Sequence, residues 1–587
     1  MLDENNELVR TFRRIRQDIQ LSSTPNLRLR IFGIKSRNRQ YDLPTSSDIA
    51  ALIPGDFVAD REDRDIIVDH RGEGLKRITS LNPKFEALHF PLLFPYGEDG
   101  FHPQISYNAS FCPASMRRKF VTQKEYYAFR LQYPLNEGHT LVQSGKALQH
   151  YCVDAFSTIE LNRLAFLRTH QKDLRAEVYQ GLQDAFAKGD MDGEKLGRII
   201  MPSSYTGGPR YMQQLYHDAM ATCQHYGNPD LFVTFTCNAL WEEIVDAFAD
   251  MVGPNSELKP MVVCRVFHMK LAILIDQFKR ESYFEKTIAV KIPDPNLDPE
   301  GYAAVVKFMI HGPCGVNNPT APCMKDGKCS KYFPKEFCSE TSFDKFGNVV
   351  YRRRNSGIQV QKGKAMLDNR YVVPYNRNLL VRAQAHINVE ICHKGGLVKY
   401  LFKYITKGPD RSLIVAEDST SSVQVPSNIT KKTKDEIQEF IDCMSLSSYE
   451  AIWRINEYSI HHREPNVVRL GVHLDGQQNV SYKRRSNIQN VLQNPRAGKT
   501  HLTSWFELNR HDCNARKFTY AQILNSFTWN EEYSEWTPRK RGFAIGRIAY
   551  VPPGSDDIFF LRLLLTKVRG ATSFLNLRTI QGEVCST

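Results

Sequence analysis

The chain has 587 residues, of which 42% are hydrophobic and 24% charged, an ordinary composition for a core-forming protein of several domains. Its 77 lysines and arginines against 64 acidic residues give a net charge of +13, which is compatible with a polyanionic partner. The first residues are acidic and polar and the apolar runs are short, so we expect neither a secretory signal nor a membrane-spanning helix. The 13 cysteines are therefore expected to be reduced thiols, some of them metal ligands.

Four segments follow one another along the chain. Residues 1–145 hold short strand-like runs and many turn signals, and residues 146–414 alternate long helices with β-rich runs. The acidic, Ser/Thr-rich stretch 415–436 is the predicted linker, and residues 437–587 form a third, mixed and basic region. The predicted fold is α+β and multidomain, with a central antiparallel sheet and flanking helices.

Within the second segment, the run "DLFVTFTCN" predicts a strand over residues 230–238. The stretch that precedes it contains a helical pattern of apolar residues at Ile159, Leu161, Leu164 and Leu167. Both elements belong to the predicted central domain.

The run "KYLFKYITKG", residues 399–408, predicts a helix that ends at Gly408-Pro409. Lys399, Lys403 and Lys407 form a row opposite the apolar arc, and Tyr400 and Tyr404 fall between the two. The tyrosines either lie at a core boundary with hydrated hydroxyls, or attack a DNA phosphate beside the lysine row. The second chemistry needs a divalent metal at the phosphate, and the helix geometry alone does not decide.

A run of glycines, prolines and cysteines between residues 311 and 338 is the candidate zinc site. The predicted ligands are His311, Cys314, Cys323 and Cys329, with Cys338 as a substitute, because closed zinc sites take four N/S ligands. The alternative is a loop of packed, reduced cysteines.

Three basic clusters lie beside aromatic residues, which favours DNA binding because cations hold phosphates and rings stack on unpaired bases. The adjacent aromatic residues are Tyr351, Tyr482 and Trp536. The clusters consist of Arg352, Arg353 and Arg354; Arg484 and Arg485; and Arg539, Lys540 and Arg541. Each cluster alone is more typical of a solvated surface.

Several longer motifs together resemble the replication-initiator region of Helitron transposases, the Helitron helicase-like domain. They are "HFPLLFPYGEDGF", "SYTGGPRYMQQLYHDAMATCQHYGNPDLFVTFTCN", "FMIHGPCG", "KYLFKYITKGPDR" and "WTPRKRGFAIGRIAYVPPG". The resemblance implies a nuclear, rolling-circle endonuclease that cuts single-stranded DNA through Tyr400 and Tyr404 with Mg²⁺ or Mn²⁺. It also implies that residues 146–414 have the rolling-circle nuclease fold.

One departure from the family pattern concerns the metal. Such nucleases bind it through a His–hydrophobic–His pair on a strand, yet none of the 17 histidines here is followed by another two positions later. The segments that flank the metal strand in the family nearly abut here at Val290-Lys291, so a block near 285–292 is predicted to be missing and the nuclease sheet incomplete. His461 and His462 are the remaining alternative ligands.

The family also carries a helicase half with a phosphate-binding loop, and we expect no such loop in these 587 residues. The stretch "QNPRAGKTHL" contains Gly498-Lys499-Thr500, but the first glycine of a phosphate-binding loop is replaced by Gln493. We therefore expect no ATP binding.

Three hypotheses for function follow. The first is a Helitron-derived Rep fragment that binds single-stranded or transposon-end DNA without endonuclease or helicase activity. The second is an active tyrosine endonuclease and strand transferase that uses other metal ligands, and the third is a structural remnant without DNA affinity.

Overall fold

The structure is a computed structural model that describes residues 5–6, 9–10, 50–52, 66–70, 74–108, 118–132, 140–171, 199–249, 260–280, 288–392, 435–442, 444, 446–477, 499–580 and 582–584. Its helices are α1 (Phe85–His89), α2 (Gln123–Arg130), α3 (Lys146–Thr169), α4 (Pro209–Tyr226), α5 (Glu242–Ala249), α6 (Pro260–Arg280), α7 (Pro299–Phe308), α8 (Arg377–Ala383), α9 (Glu436–Asp442), α10 (Ser448–Ile455), α11 (His501–His511), α12 (Asp556–Lys567) and α13 (Phe574–Arg578). Short 3-10 helices span Asn369–Tyr371, Ala515–Lys517 and Ile523–Asn525.

The strands form small sheets. They are β1 (Ala50–Leu52), β2 (Ile66–His70), β3 (Gly74–Ile78), β4 (Leu231–Phe235), β5 (Met324–Lys325), β6 (Lys328–Cys329), β7 (Ser342–Phe343), β8 (Val349–Val350), β9 (Val360–Lys362), β10 (Ala365–Leu367), β11 (Ile387–Ile391), β12 (Val467–Leu470), β13 (Phe527–Asn530), β14 (Glu535–Pro538), β15 (Ile545–Ile548), β16 (Thr579–Ile580) and β17 (Glu583–Val584). Strands β1, β2 and β3 form one antiparallel sheet, and the other strands pair two by two. All of these pairs are antiparallel except β12–β15, which is parallel. This mixture of helices and small sheets confirms the α+β prediction.

The predicted strand at 230–238 is confirmed as β4, which pairs antiparallel with β11 over five residues, from Ile387 opposite Phe235 to Ile391 opposite Leu231. Ile387 and Val389 are almost fully buried on one face of this pair. Helices α5 and α6 flank its end, where the rings of Trp241 and Phe267 lie 5.8 and 5.4 Å from that of Phe235. The described part of the central sheet is thus a two-stranded antiparallel pair with helices beside it.

The chain around Val290-Lys291, where a block is predicted to be missing, is built into the central core. Ala289 and Tyr375 exchange both backbone hydrogen bonds, at 2.8 and 3.0 Å. The Tyr375 hydroxyl donates to the Lys291 carbonyl at 2.9 Å, and Val290 and Ile292 are buried. The two flanking segments therefore join within packed structure, and the missing block itself stays a prediction.

Three large cores organise the described residues. The first packs α2, α3, α6 and α10 around Phe94 and Tyr151, and so takes residues from both sides of positions 145 and 437. The second, central core contains α7, α8, β9, β10 and β11, and the third lies in the carboxy-terminal region around Trp505 and Tyr520. The predicted division into 1–145, 146–414 and 437–587 stays a prediction, as does the linker, most of which lies outside the described residues.

A buried carboxylate ties α1 to the first core. Glu86 is 3% exposed, and it accepts hydrogen bonds from the Phe101 backbone N–H at 3.0 Å and from the Tyr151 hydroxyl at 2.9 Å. Burial raises the pKa of this carboxyl above its usual range, because the hydrogen bonds do not fully replace lost hydration.

A second buried carboxylate joins α4 to the carboxy-terminal region. Asp218 on α4 is 5% exposed and pairs with Arg463 at 2.6 Å and with Arg547 of β15 at 2.7 Å. The two arginines come from different segments of that region, so this cluster fixes both against α4.

The raised pKa of Glu86 predicts a pH-dependent stability. Protonation of a group with a raised folded-state pKa stabilises the fold at acid pH, and this contribution is lost as pH rises through that pKa. Glu86→Gln keeps the shape without the charge, so it should raise the unfolding temperature at pH 8, with a difference that shrinks towards pH 5. Glu242→Gln, at an exposed position of α5, is the control. A pH-independent difference between wild type and Glu86→Gln would contradict the prediction.

Candidate metal centre

The first half of the centre is a glycine-rich turn after α7. Ile310 forms a bridge with Val372, and the His311 backbone N–H donates to the Tyr371 carbonyl at 2.9 Å. Gly312 and Gly315 then take φ values of 102° and 70°, a region that glycine enters without steric cost. Those two positions turn the chain so that Cys314 faces back towards His311.

The second half is the hairpin of β5 and β6. Its two-residue turn is Asp326-Gly327, with φ values of 49° and 75°, as tight hairpins of this kind require. Met324 pairs with Cys329 across the hairpin, and the Ser330 N–H donates to the Cys323 carbonyl at 2.7 Å. This register brings Cys323, just before β5, beside Cys329 at the end of β6.

The two halves converge on one point. One ligand atom from each of His311, Cys314, Cys323 and Cys329 lies within 4.8 Å of every other, and His311 Nε2 is 3.4 Å from Cys329 Sγ. The structure thus brings together the four side chains that the sequence predicts as ligands. Among the described residues, this is the one group of three or more His, Cys, Asp or Glu side chains close enough to hold a metal ion.

Cys338, the predicted substitute ligand, is not part of this group. Its thiol donates to the Glu340 carbonyl at 2.7 Å, and its backbone pairs with that of Arg353. It belongs to the base of a neighbouring hairpin.

The protonation of the group differs from residue to residue. Burial and the neighbouring thiols of Cys329 and Cys323 raise the pKa of Cys314 to about 12. Burial also acts to raise the pKa of Cys329, but the backbone N–H groups of Phe333 and Lys331 and the neighbouring thiols outweigh it and lower the pKa overall. Because the thiolate is the form that binds a metal, Cys329 is readier to bind one than Cys314 is.

The surroundings of His311 favour a neutral imidazole. Burial and the charges of Lys362, Lys331 and Lys335 lower its pKa. Its ring stacks on Phe333, with centroids 4.2 Å apart and an interplanar angle of 19°. The stack fixes the ring's orientation and the lowered pKa keeps a ring nitrogen available, which a metal ligand needs.

The short segment Asn369–Val372 accepts hydrogen bonds from the metal centre and from the stretch that follows it in the chain. It binds His311 through the Tyr371 carbonyl, Lys335 through the Arg370 carbonyl at 3.0 Å, and Arg353 through two carbonyls. Asn369 itself is 1% exposed. Its Oδ1 accepts from the Ile292 N–H at 2.6 Å, and its Nδ2 donates to the Arg354 carbonyl at 2.7 Å.

The predicted DNA-binding arginines have different surroundings. Arg352 and Arg354 are exposed, as are Lys540 and Arg541, and for these four the role stays a prediction. Arg353 is buried and its Nη1 donates to the Asn369 and Val372 carbonyls, both at 2.7 Å. This guanidinium faces the protein interior, so its predicted contact with DNA is replaced by a structural role.

Arg539 is half-buried and hydrogen-bonded to the Leu524 and Phe527 carbonyls at 3.2 and 3.3 Å. Predicted residues that lie outside the described residues are Lys399, Tyr400, Lys403, Tyr404, Lys407, Tyr482, Arg484 and Arg485. Their roles stay predictions.

The structure shows the surroundings of two aromatic residues that lie beside the basic clusters. Trp536 is 5% exposed and donates to the His501 carbonyl at 3.0 Å. Tyr351 is half-buried against the central core, and its hydroxyl accepts from the Ile391 N–H at 2.8 Å. The prediction that Trp536 stacks on a base is wrong, because almost none of its side chain is exposed, whereas the role of the half-buried Tyr351 stays a prediction.

Two other predicted features have ordinary partners. His461 faces Tyr211, and His462 lies 3.7 Å from Glu464. Thr500 caps α11 by accepting from the Thr503 N–H, and Lys499 pairs with Glu507 at 3.1 Å. The absence of ATP binding stays a prediction.

The Mg²⁺ or Mn²⁺ implied by the resemblance can be tested against the ligands. Both ions prefer oxygen donors, whereas the described group offers three sulfurs and one nitrogen. The group of His311, Cys314, Cys323 and Cys329 therefore does not fit a catalytic ion of this type.

Comparison with known families adds one match. Residues 126–291 match the family model of the Helitron helicase-like domain at N-terminus. The matched range begins within α2, includes α3 to α6 together with β4, and ends at Lys291, the junction where a block is predicted to be missing. The chain is thus related to Helitron proteins over this range, which confirms the resemblance seen in its motifs. No curated protein matches the chain.

Among the described residues, no helix combines the length and the apolar character needed to cross a bilayer.

Sequence reasoning missed the residues that support the centre. Asn369 and Phe333 act through partners far along the chain, such as Ile292 and His311. The one local signal is that Asn369 lies in the largely apolar run "LDNRYVVPY". This run does not indicate which residues its side chain binds.

The geometry predicts which cysteines are required for metal binding. Cys314→Ser and Cys329→Ser should each abolish most of the metal that copurifies with the chain, measured by plasma mass spectrometry. Cys338→Ser is the matched control, since this thiol bonds to a carbonyl outside the group, and it should keep the metal. Equal loss in all three variants would contradict the assignment.

Removal of the Asn369 side chain should destabilise the central core. Asn369→Ala leaves the buried Ile292 N–H without its acceptor, and an unsatisfied buried group costs about 1–3 kcal/mol of unfolding free energy. Denaturant unfolding followed by fluorescence measures the loss. Asn296→Ala, at an exposed position, is the control, and an equal effect of the two would overturn the role given to Asn369.

Proposed function

We propose that the protein is a Helitron-derived Rep fragment that binds single-stranded or transposon-end DNA in the nucleus without cutting or unwinding it. The observation that carries the proposal is the match of residues 126–291 to the Helitron helicase-like domain. The net charge of +13 and the exposed Arg352, Arg354, Lys540 and Arg541 support a polyanionic partner.

The antiparallel pair β4–β11 with α5 and α6 beside it supports a fold of the rolling-circle nuclease type for the central region. In this proposal Tyr400 and Tyr404 are nucleophiles by descent. They have lost their function because the chain has no His–x–His pair to place a divalent metal on the scissile phosphate. A phenol with an ordinary pKa near 10 is a poor nucleophile towards a phosphodiester without that ion.

We further propose that the Cys₃His group holds Zn²⁺ as a structural ion. Zinc takes four N/S ligands at about 2.0–2.3 Å in tetrahedral geometry, which places neighbouring ligand atoms about 3.5–3.8 Å apart. The 3.4 Å between His311 Nε2 and Cys329 Sγ and the 4.8 Å limit for the whole group are close to these values. Three thiolates with one Zn²⁺ leave a negative charge, which Lys331, Lys335 and Lys362 balance.

A zinc ion in this position would act on folding. Few apolar side chains surround the group, and its small cluster contains Cys314, Ala321 and Cys329 as buried members. Four metal bonds would supply the cohesion that a hydrophobic core supplies elsewhere.

The proposal is tested with labelled single-stranded DNA in the presence of Mg²⁺ or Mn²⁺. The protein should bind with an affinity that falls steeply as salt rises, because bound lysines and arginines release counterions. It should form no covalent tyrosyl–DNA adduct on a denaturing gel.

The controls for this assay are two double variants. An adduct that is lost in Tyr400→Phe/Tyr404→Phe but kept in Tyr226→Phe/Tyr550→Phe, two exposed tyrosines elsewhere, would establish an active endonuclease instead. The absence of binding even at low salt would favour a structural remnant.

A further inference from the structure

A short stretch after the metal centre exposes an unusual number of aromatic rings. Residues 331–354, here called the aromatic arm, contain Tyr332, Phe337, Phe343 and Phe346, which are 80%, 39%, 50% and 66% exposed. Large aromatic residues usually bury most of their surface, so four exposed rings in one short stretch need an explanation other than folding.

Residues 338–353 of the arm form a hairpin with a defined base and tip, and Tyr332 and Phe337 precede it. Cys338 and Arg353 pair at its base, followed by Ser342 opposite Val350 in β7 and β8. At its tip Asp344 accepts hydrogen bonds from the Phe346 and Asn348 N–H groups at 2.8 and 2.7 Å. The exposed rings of β7 and the tip are therefore presented by ordered backbone.

Cations accompany three of these rings. Lys345 lies 5.1 Å from the centroid of Phe346, and Lys335 lies 5.6 Å from that of Tyr332. Arg370 lies 5.1 Å from the centroid of Phe337. From residue 325 to residue 354 the chain has eight lysines and arginines against four acidic residues.

The backbone also supports the exposure of Tyr332. Its φ is 57°, a left-handed conformation that is rare for a bulky residue, and its N–H donates to the Cys329 carbonyl at 2.9 Å. The hydrogen bond to the predicted metal ligand Cys329 thus helps to hold the exposed Tyr332 in a strained backbone conformation. Strain of this kind persists where surrounding structure fixes it, and it is concentrated at functional sites.

The arm is rigidly attached to the core. Arg353 at its base donates to the Asn369 and Val372 carbonyls, and the Lys335 N–H donates to the Arg370 carbonyl. The same segment binds His311 of the metal centre. The rings therefore project from a pre-organised base, so little conformational entropy would be lost when a ligand binds.

We propose that the aromatic arm is a docking surface for single-stranded DNA, with Tyr332, Phe343 and Phe346 stacking on unpaired bases and Lys345, Lys335 and Arg352 holding phosphates. Exposed rings and cations that alternate along one short stretch suit single strands, because every base has a face to stack and every nucleotide carries a charge. This inference rests on the proposed function and gives it a location at the exposed rings of the arm, beside the exposed Arg352 of the first basic cluster.

Fluorescence anisotropy with labelled oligothymidylate tests the site. Phe343→Ala/Phe346→Ala should weaken binding about tenfold or more, since loss of one stacked ring already costs about fivefold. Phe560→Ala, which removes a 58% exposed ring on α12, is the matched control and should bind as wild type does. None of these three phenylalanines belongs to a described hydrophobic core, so both variants should keep the wild-type unfolding temperature and metal content.

Two further arms locate the contact and its specificity. Crosslinking of DNA that contains 5-iodouracil should give labelled peptides from residues 331–354. The Phe343→Ala/Phe346→Ala change should weaken the binding of duplex DNA far less than that of single-stranded DNA, because the bases of a duplex are already stacked. Oligouridylate distinguishes RNA from DNA as the single strand that the arm prefers, and tighter binding of RNA would overturn the assignment to DNA.

The failure of this inference and of the proposed function give different results. Wild-type binding with no loss in the Phe343→Ala/Phe346→Ala variant, and crosslinks elsewhere, would overturn the inference alone and leave the exposed rings to a protein partner. No binding by wild type at low salt would overturn both.

Discussion

The side-chain amide of Asn369 is the interaction on which the central region depends. It is almost fully buried, and its oxygen and nitrogen bind the backbone of Ile292 and of Arg354 from two distant segments. The neighbouring carbonyls of Tyr371 and Val372 accept hydrogen bonds from the His311 backbone N–H and from the Arg353 side chain, respectively. A buried amide is stable only when its donors and acceptors are satisfied, so this one network fixes the chain junction, the metal loop and the aromatic arm together.

This arrangement places an electrostatic centre next to a hydrophobic one. The central core buries Val290, Ile292 and Val372. The metal group next to it consists of three thiols and one imidazole, and the positive charges of Lys331, Lys335 and Lys362 act on its histidine. A cluster of three thiols surrounded by cations has little apolar surface to bury, and a bound cation is the simplest source of cohesion for it. In the proposed zinc-bound form, metal ligation and apolar burial stabilise neighbouring parts of the fold, and Asn369–Val372 lies between them.

The sequence predicts what depends on local pattern. The glycine and cysteine spacing, and the Asp326-Gly327 turn that sets Cys323 beside Cys329, are encoded within a short stretch, and the predicted ligand group comes together in space. Strand β4 is predicted for the same reason, since its apolar run and flanking turn residues are local signals. The helix predicted over residues 399–408 rests on an equally clear pattern, and these residues lie outside the described ones.

What the sequence does not predict depends on distant partners. Arg353 resembles its neighbours in the chain, yet its acceptors lie 16 and 19 residues further on, and only folding shows that it points inwards. Trp536 and Tyr351 lie next to basic residues in the chain, but their polar atoms bind distant backbone groups. Trp536 donates to the His501 carbonyl, and the Tyr351 hydroxyl accepts from the Ile391 N–H. Exposure, which separates the rings of the aromatic arm from these two, is a property of the whole fold.

Hydrogen exchange with and without a metal chelator tests most directly whether the metal centre and the aromatic arm depend on one shared segment. Chelation should remove protection at the amides of His311, Lys335 and Arg353, while the Ala289 and Tyr375 amides of the chain junction stay protected. Unchanged protection at all five amides, or a uniform loss across the chain, would contradict this account.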